Sequence, residues 1–213
     1  MDTFELISKL TAVFGPSGQE KGIAQVISDL ARPFADEITT DPLGNLIVRK
    51  KGSGPKLMLA AHMDSIGLVV TYFEEDGTLR FGKIGGVNAK DIRNAPIRFE
   101  NGSLGTVKIH GKAEEEKLTL DDLYLDIGAA SREEAQRMVR LGDTAVYATT
   151  AGRAGNRVIS PYLDNRVSCT VLLKVLEKLK KSEYDLYLVF TVQEELGLRG
   201  AKTAAYGIDP DLA

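Results

Sequence analysis

One stretch, Tyr187 to Ala201, limits what this chain can fold into more than any other. It starts as an apolar run, continues with two adjacent carboxylates, Glu194 and Glu195, and ends in the glycine-bounded turn GLRG. The run from Leu186 to Val192 alternates too little to be half exposed, so it predicts a strand buried on both faces. Two acids at the end of such a strand conflict with folding alone, because an unpaired buried charge costs several kcal/mol or shifts its pKa. A bound cation would resolve that conflict.

Composition narrows the class of protein. The chain has 213 residues, 43% hydrophobic and 27% charged, which is typical of one large globular domain or one domain with an insertion. A net charge of -3 gives no reason to expect nucleic acid or an anionic membrane as a partner. Cys169 is the single cysteine, which excludes an internal disulfide framework and a thiolate zinc finger. The sequence shows neither a signal peptide nor an apolar run of about 20 residues, so we expect a cytoplasmic protein.

The two ends of the chain share one pattern of alternating helices and strands. Residues 1–66 carry two helical stripes and three short strand-like runs, and Ser17 with Glu20 predicts a capping box for the second helix. Residues 161–213 carry a further helix and the buried strand. This alternation predicts the α/β class with a partly parallel sheet, whose functional sites lie outside the carboxyl ends of the strands.

Residues 67–160 differ from both ends. They contain short β-runs with frequent glycines and one helix, for which Ser131 and Glu134 predict a capping box. We predict a small β-rich insertion at 67–160, which separates the two segments, 1–66 and 161–213, of an α/β domain. The acidic run at 114–116 is predicted to be a solvated loop.

Chemistry-bearing residues fall in three segments, HMD at 62–64, LDNR at 163–166 and EE at 194–195. His62 and Asp64 are two residues apart, so they point to the same side of an extended chain. A carboxylate placed there can fix the imidazole tautomer while the other ring nitrogen binds a metal. Taken alone, this short motif is weak, and a buried histidine with satisfied hydrogen bonds is the simpler interpretation.

The carboxylates of the other two segments each allow two interpretations. Asp164 opens a helix and is either a cap or a ligand that bridges two cations. Glu194 and Glu195 form either a solvated turn or a metal site in which one ligates and the other moves a proton.

Five motifs together resemble the tetrahedral aminopeptidases: AHMDSIG, PYLDNRVSCTVLL, VQEELGLRGA, DPLGN and IGAASREEA. These are dinuclear zinc or cobalt exopeptidases related to the leucyl and glutamyl aminopeptidases, and some are labelled cellulase M or endoglucanase. The resemblance implies a three-layer αβα zinc-exopeptidase-like domain with an inserted PDZ-like dimerisation domain. It also implies dimers that assemble into a hollow tetrahedral dodecamer, and removal of N-terminal residues from short peptides.

The same resemblance implies roles for individual residues. His62 would bind one metal, Asp164 would bridge both, and Glu195 would bind the other. Glu194 would be the general base, and Asp64 would orient His62. The two divalent ions would be zinc or cobalt, and manganese also suits histidine and carboxylate ligands.

The chain departs from the family pattern in two ways. Ser65 stands where the family usually has glutamate, which is not a ligand. The family also needs a further aspartate and a later histidine, which the sequence to Ala213 does not supply, and His110 is predicted to be an ordinary surface or packing residue. We therefore expect a truncated form that binds metal weakly and hydrolyses peptides poorly or not at all. The resemblance further predicts a strained or cis peptide bond between Asp164 and Asn165, as in related exopeptidases.

Two competing functions remain open at this point. A glycosidase would need two carboxylates flanking a sugar and aromatic platforms, and the sequence contains no tryptophan. A non-enzymatic assembly or binding module would act through the inserted block.

Overall fold

The computed structural model describes residues 1–111 and 117–213, which form two compact units. The first, the α/β unit, contains residues 1–65 and 150–213, and the second, the barrel unit, contains residues 66–149. Residues 150–160, which the sequence predicted to belong to the insertion, therefore group with the α/β unit. The acidic run at 114–116 lies outside the described residues. Within those residues, no helix is long and apolar enough to cross a membrane.

The helices and strands alternate along most of the chain. In chain order they are α1 (Thr3–Ala12), α2 (Lys21–Ala31), β1 (Glu37–Thr40), β2 (Leu46–Lys50), β3 (Lys56–His62), β4 (Gly67–Phe73), β5 (Leu79–Ile84), α3 (Ala89–Ile92), β6 (Pro96–Phe99), β7 (Leu104–Ile109), β8 (Leu123–Asp126), α4 (Arg132–Met138), β9 (Thr144–Tyr147), β10 (Gly152–Ala154), β11 (Arg157–Ile159), α5 (Leu163–Lys178), β12 (Asp185–Thr191) and α6 (Arg199–Ile208).

The α/β unit is built on a four-stranded sheet with the order β1-β2-β12-β3. Strand β12 runs parallel to β3 and antiparallel to β2, so the predicted partly parallel sheet is confirmed. Helices cover both faces, because Leu188 and Phe190 pack in a core with α1, α2 and α5, whereas Val189 packs against α6. All three side chains are fully buried, which confirms the prediction of a strand buried on both faces.

The register of β3 and β12 positions the candidate site. Thr191 pairs with His62 in this parallel ladder, and the Met63 amide donates to the Thr191 carbonyl at 2.8 Å. The segments that follow these two residues therefore leave the same edge of the sheet side by side. Residues 62–64 and 193–195 lie near each other for this reason, as expected for the carboxyl ends of parallel strands.

The barrel unit is β-rich, as predicted. Its six strands close in the order β4-β5-β8-β7-β6-β9, and their adjacent pairs are antiparallel. Leu79, Val107 and Leu125 are fully buried at its centre. The Ser131 hydroxyl accepts a hydrogen bond from the Glu134 amide, so the predicted N-cap of α4 is confirmed, whereas the Glu134 carboxylate accepts from the Ala130 amide and not from that of Ser131 as a full capping box requires. His110 stacks on Tyr124 with 4.4 Å between the ring centroids, a packing role in keeping with the sequence.

The capping box predicted for α2 is wrong. Helix α2 starts at Lys21, and its N-cap, Glu20, makes no side-chain capping bond. Instead, the Ser17 hydroxyl donates to Asp64 Oδ2, and the Glu20 carboxylate accepts from the Gly18 and Gln193 amides. Both side chains are buried against the end of the sheet, where buried polar groups need partners more than a solvated helix end does.

Candidate functional site

His62 lies at the centre of a cluster of carboxylates. It is the last residue of β3 and is 7% exposed. Its Nε2 atom lies 3.1 Å from Asp164 Oδ1 and 3.7 Å from Glu194 Oε2. The structure thus brings together side chains from all three chemistry-bearing segments of the sequence.

Asp64 lies behind the imidazole and is fully buried. Its Oδ1 atom is 3.5 Å from His62 Nδ1, and its backbone carbonyl is 3.2 Å from the same nitrogen. Its carboxylate also accepts from the Ser17 hydroxyl and from the Glu194 and Glu195 amides. Burial alone would raise the pKa of Asp64, but these hydrogen bonds hold it below its usual value. A fixed anion therefore faces Nδ1 and leaves Nε2 directed at Asp164 and Glu194.

The charges around His62 favour a cation. Burial lowers the pKa of the imidazole, but Asp64, Glu194 and Asp164 outweigh it and raise the pKa to about 9. In chemical terms, three carboxylates stabilise positive charge at this point, whether it is a proton on the ring or a metal ion beside it.

Asp164 is not a helix cap. The N-cap of α5 is Tyr162, and Asp164 and Asn165 have non-helical backbone angles inside the first turn. The peptide bond between Asp164 and Asn165 is cis, as predicted. The Asp164 side chain is 87% exposed while one of its oxygens faces His62, so the carboxylate is open to a ligand.

Glu194 and Glu195 follow β12 after a reversal at Gln193, whose φ is +51°. The Glu194 carboxylate faces His62, whereas the Glu195 backbone amide is fixed on Asp64. The sequence assigned Glu195 as the ligand and Glu194 as the base, and those roles stay predictions. Across residues 1–111 and 117–213, no three histidine, cysteine, aspartate or glutamate side chains are grouped closely enough to hold an ion.

Sequence reasoning missed four residues around this site. In the sequence, Asn45 and Arg166 stand out only as members of motifs, and Ser17 and Glu20 only as a capping box. Arg166 is fully buried, and its Nη1 atom donates to the Leu10 carbonyl at 2.6 Å. The sequence carries no local signal for their burial, because Ser17, Glu20 and Asn45 are distant in the sequence from the three segments, and a charged residue such as Arg166 is normally exposed.

Comparison with known proteins supports the family resemblance that the motifs indicate. Residues 44–213 match the family described as M42 glutamyl aminopeptidase. A protein of Acetivibrio thermocellus is 49% identical over 213 residues, which is 100% of this chain and 64% of the relative. The lysyl aminopeptidase of Pyrococcus furiosus is 39% identical over 225 aligned residues, covering 100% of this chain and 65% of that enzyme. The chain thus spans just under two thirds of the length of these relatives.

Solved structures have the same fold. The aminopeptidase APDkam598 of Desulfurococcus kamchatkensis superposes with a TM-score of 0.90 at 41% identity, covering 98% of this chain and 61% of that one. The TET1 peptidase of Pyrococcus horikoshii, described as assembling into a tetrahedron or a large octahedral shell, gives a TM-score of 0.87 at 31% identity. That match covers 98% of this chain and 66% of that one.

Proposed function

Because the chain belongs to the M42 glutamyl aminopeptidase family, we propose that the protein is a metal-dependent aminopeptidase acting on short peptides. The observation that carries this proposal is the approach of Asp164 and Glu194 to the Nε2 atom of His62, at 3.1 and 3.7 Å. Three distant segments would not supply an imidazole and two carboxylates at one sheet edge for packing alone, since buried or clustered charges oppose folding.

The side chains at the site fit divalent ions by their chemistry. As the family resemblance implies, His62 would hold one ion, Glu195 would hold the other, and Asp164 would hold both, since a carboxylate can bridge two cations and an imidazole cannot. Nitrogen and oxygen donors suit zinc and cobalt, and also manganese. When bound, such ions polarise the scissile carbonyl and lower the pKa of water toward neutrality.

The remaining carboxylates would move and fix protons. Glu194 would take a proton from the attacking water and give it to the nitrogen of the leaving amine as the carbon–nitrogen bond breaks. Asp64 would keep the His62 proton on Nδ1, so that Nε2 has a lone pair available for a ligand.

The barrel unit would be the PDZ-like dimerisation domain of the family, and dimers would assemble into a dodecamer. Its six-stranded closed barrel and the assembly described for the Pyrococcus horikoshii peptidase support this assignment. Light scattering of the purified protein would measure its mass, and a monomer at all concentrations would contradict self-association.

Metal dependence separates this function from the glycosidase. Purified protein is assayed against amino-acid p-nitroanilides and against cello-oligosaccharides, with EDTA and then with added Co²⁺ or Zn²⁺. We expect slow release of p-nitroaniline that EDTA abolishes and cobalt restores, and no release in the Glu194→Gln variant. Sugar release that persists in EDTA, or p-nitroanilide hydrolysis insensitive to EDTA, would overturn the proposal.

A further inference from the structure

The turn after β12 is held by side chains from other segments. Four consecutive amides donate to them: Val192 to Asn45 Oδ1 at 3.0 Å, Gln193 to Glu20 Oε1 at 3.1 Å, Glu194 to Asp64 Oδ1 at 3.1 Å and Glu195 to Asp64 Oδ2 at 3.2 Å. The sheet ladder ends one residue earlier, at Thr191. The two catalytic carboxylates are thus presented by a segment that three buried side chains fix in place.

Asn45 is fixed by contacts of its own. It is fully buried, and its Nδ2 atom donates to Asp41 Oδ2 at 2.6 Å and to the Gly200 carbonyl at 2.9 Å. These acceptors set the orientation of the amide, so Oδ1 must face the Val192 amide. A Cβ atom on Gly200 would lie 2.4 Å from Asn45 Oδ1 and 2.3 Å from the Val192 carbonyl, so only glycine permits this close approach. Asn45 therefore ties the start of α6 to the turn.

Glu20 fixes the reversal itself. Its carboxylate is 6% exposed and accepts from the Gly18 amide at 2.8 Å as well as from the Gln193 amide. Gln193 has a positive φ, which a non-glycine residue adopts only when its surroundings hold it there. The bond to Glu20 acts at this residue, immediately before Glu194.

We infer that Glu20 and Asn45 are positioning residues that, together with Asp64, hold the Glu194–Glu195 turn in its working geometry against His62. The catalytic consequence rests on the proposed function, whereas the holding of the turn is a property of the fold. Displacing a catalytic group by about 1 Å can lower the rate about 100-fold, so side chains that hold the turn in place are expected to affect catalysis.

The first test measures the turn directly by amide hydrogen exchange in NMR. Glu20→Ala removes the acceptor, Glu20→Gln keeps a carbonyl oxygen in its place, and Lys21→Ala is the neighbouring exposed control. In Glu20→Ala, we expect exchange at Gln193 and Glu194 to accelerate about tenfold or more, because one hydrogen bond is lost. In Glu20→Gln and Lys21→Ala, exchange at these amides should stay at the wild-type rate. Wild-type exchange in Glu20→Ala would overturn the inference.

A second pair of variants tests the inference if Glu20→Ala does not fold. Glu20→Asp keeps the charge but is one methylene too short to reach the turn, so it replaces Glu20→Ala where that variant unfolds. Asn45→Ser is expected to accelerate exchange at Val192 without affecting Gly18. Wild-type protection of the Gln193 amide in Glu20→Asp and of the Val192 amide in Asn45→Ser would likewise refute the inference.

The kinetic test separates positioning from general destabilisation. In the metal-loaded enzyme, Glu20→Ala should lower kcat about 10- to 100-fold while KM stays within about twofold, and Glu20→Gln should restore most of kcat. An unchanged kcat in Glu20→Ala contradicts the inference. If the wild-type protein hydrolyses no peptide, the proposed function fails, and the exchange pattern still decides whether Glu20 and Asn45 hold the turn.

Discussion

Asp64 shows how one buried carboxylate can serve several segments at once. It faces His62 Nδ1 and accepts from the Ser17 hydroxyl and from two amides of the turn after β12. Asparagine has the same shape, but its side-chain NH₂ cannot accept, so Asp64→Asn loses at least one of these bonds and the negative charge. We expect kcat/KM and Co²⁺ affinity each to fall about 10- to 100-fold.

The control for that change is Asp76→Asn, because Asp76 is an exposed aspartate of the barrel unit whose carboxylate accepts from the amide and the hydroxyl of Thr78. Titration calorimetry with Co²⁺ and p-nitroanilide kinetics measure the two effects. Equal losses in both variants would mean that Asp64 has no special role in orienting His62.

Arg166 is the second residue whose burial matters. Burial lowers the pKa of its guanidinium to about 10, so it stays charged at neutral pH. It donates to the carbonyl of Leu10, in the last turn of α1, and to that of Gly15, in the loop that carries Ser17. Arg166→Leu leaves the Leu10 carbonyl without this donor, and we expect a loss of about 2–3 kcal/mol in the free energy of unfolding.

Urea unfolding checks this expectation through a lower midpoint at an unchanged slope. Arg157→Leu, an exposed arginine of β11, is the matched control and should unfold at the wild-type midpoint. A midpoint for Arg166→Leu that equals the control would contradict the structural role of this arginine.

At the scale of elements, the pairing of β2 with β12 is reinforced by an ion pair at the start of β12. Arg49 Nε and Nη2 each donate to Asp185 at 2.8 Å, and the Tyr187 hydroxyl donates to the same carboxylate at 3.1 Å. The hydrogen bonds from Arg49 and Tyr187 hold the pKa of Asp185 below its usual value, and those from Arg49 contribute most to this effect. A carboxylate with a lowered pKa stabilises the fold above its unfolded pKa, and this stabilisation disappears as the pH falls through the folded value.

We therefore expect Asp185→Asn to be less stable than the wild type by about 1 kcal/mol at pH 7, as for a partly exposed pair. The difference should narrow as the pH falls below about 4, where Asp185 becomes protonated in the unfolded state, and it should disappear once the pH is below the lowered pKa of the folded state. Thermal unfolding of both proteins at several pH values tests this. A difference that stays constant down to about pH 2 would show that the charge of Asp185 is not involved.

The elements also show which features the sequence could reveal. Strand β12 and the cap of α4 were predicted correctly, because periodicity and capping residues act over a few neighbouring positions. The capping box of Ser17 and Glu20 was predicted by the same local rule and is wrong. Its two side chains bind Asp64 and Gln193, which are distant in the sequence. A rule that considers only neighbouring residues cannot predict such partners.

In the candidate site, too, the residues that short motifs mark could be predicted, and those that act through distant contacts could not. His62, Asp164 and Glu194 could be selected because three motifs occur in order, and the structure places both carboxylates within 4 Å of one imidazole nitrogen. Asn45 could not be selected, because its side chain accepts a hydrogen bond from the amide of Val192, which is 147 residues away in the sequence. The residue types of Glu194 and Glu195 are identical, so their different proposed roles depend on the geometry of the turn.

At the scale of the whole molecule, the insertion has a core of its own. The barrel unit closes without open sheet edges among its described strands, and its buried side chains form one cluster drawn from its own strands and helices. Closure removes the unpaired strand edges that make a separated sheet aggregate. A segment with these properties is expected to fold by itself.

We therefore predict that residues 66–149, expressed alone, fold cooperatively. Circular dichroism should show a β-rich spectrum and a single thermal transition. Strand β7 offers a matched pair of variants, since Val107 is fully buried and Leu104 is 64% exposed. Val107→Asp places an unpaired charge in the core and should abolish the transition, whereas Leu104→Asp should leave it within a few degrees of the parent. An isolated segment without a cooperative transition, or two variants with equal effects, would show that the barrel depends on the rest of the chain for its stability.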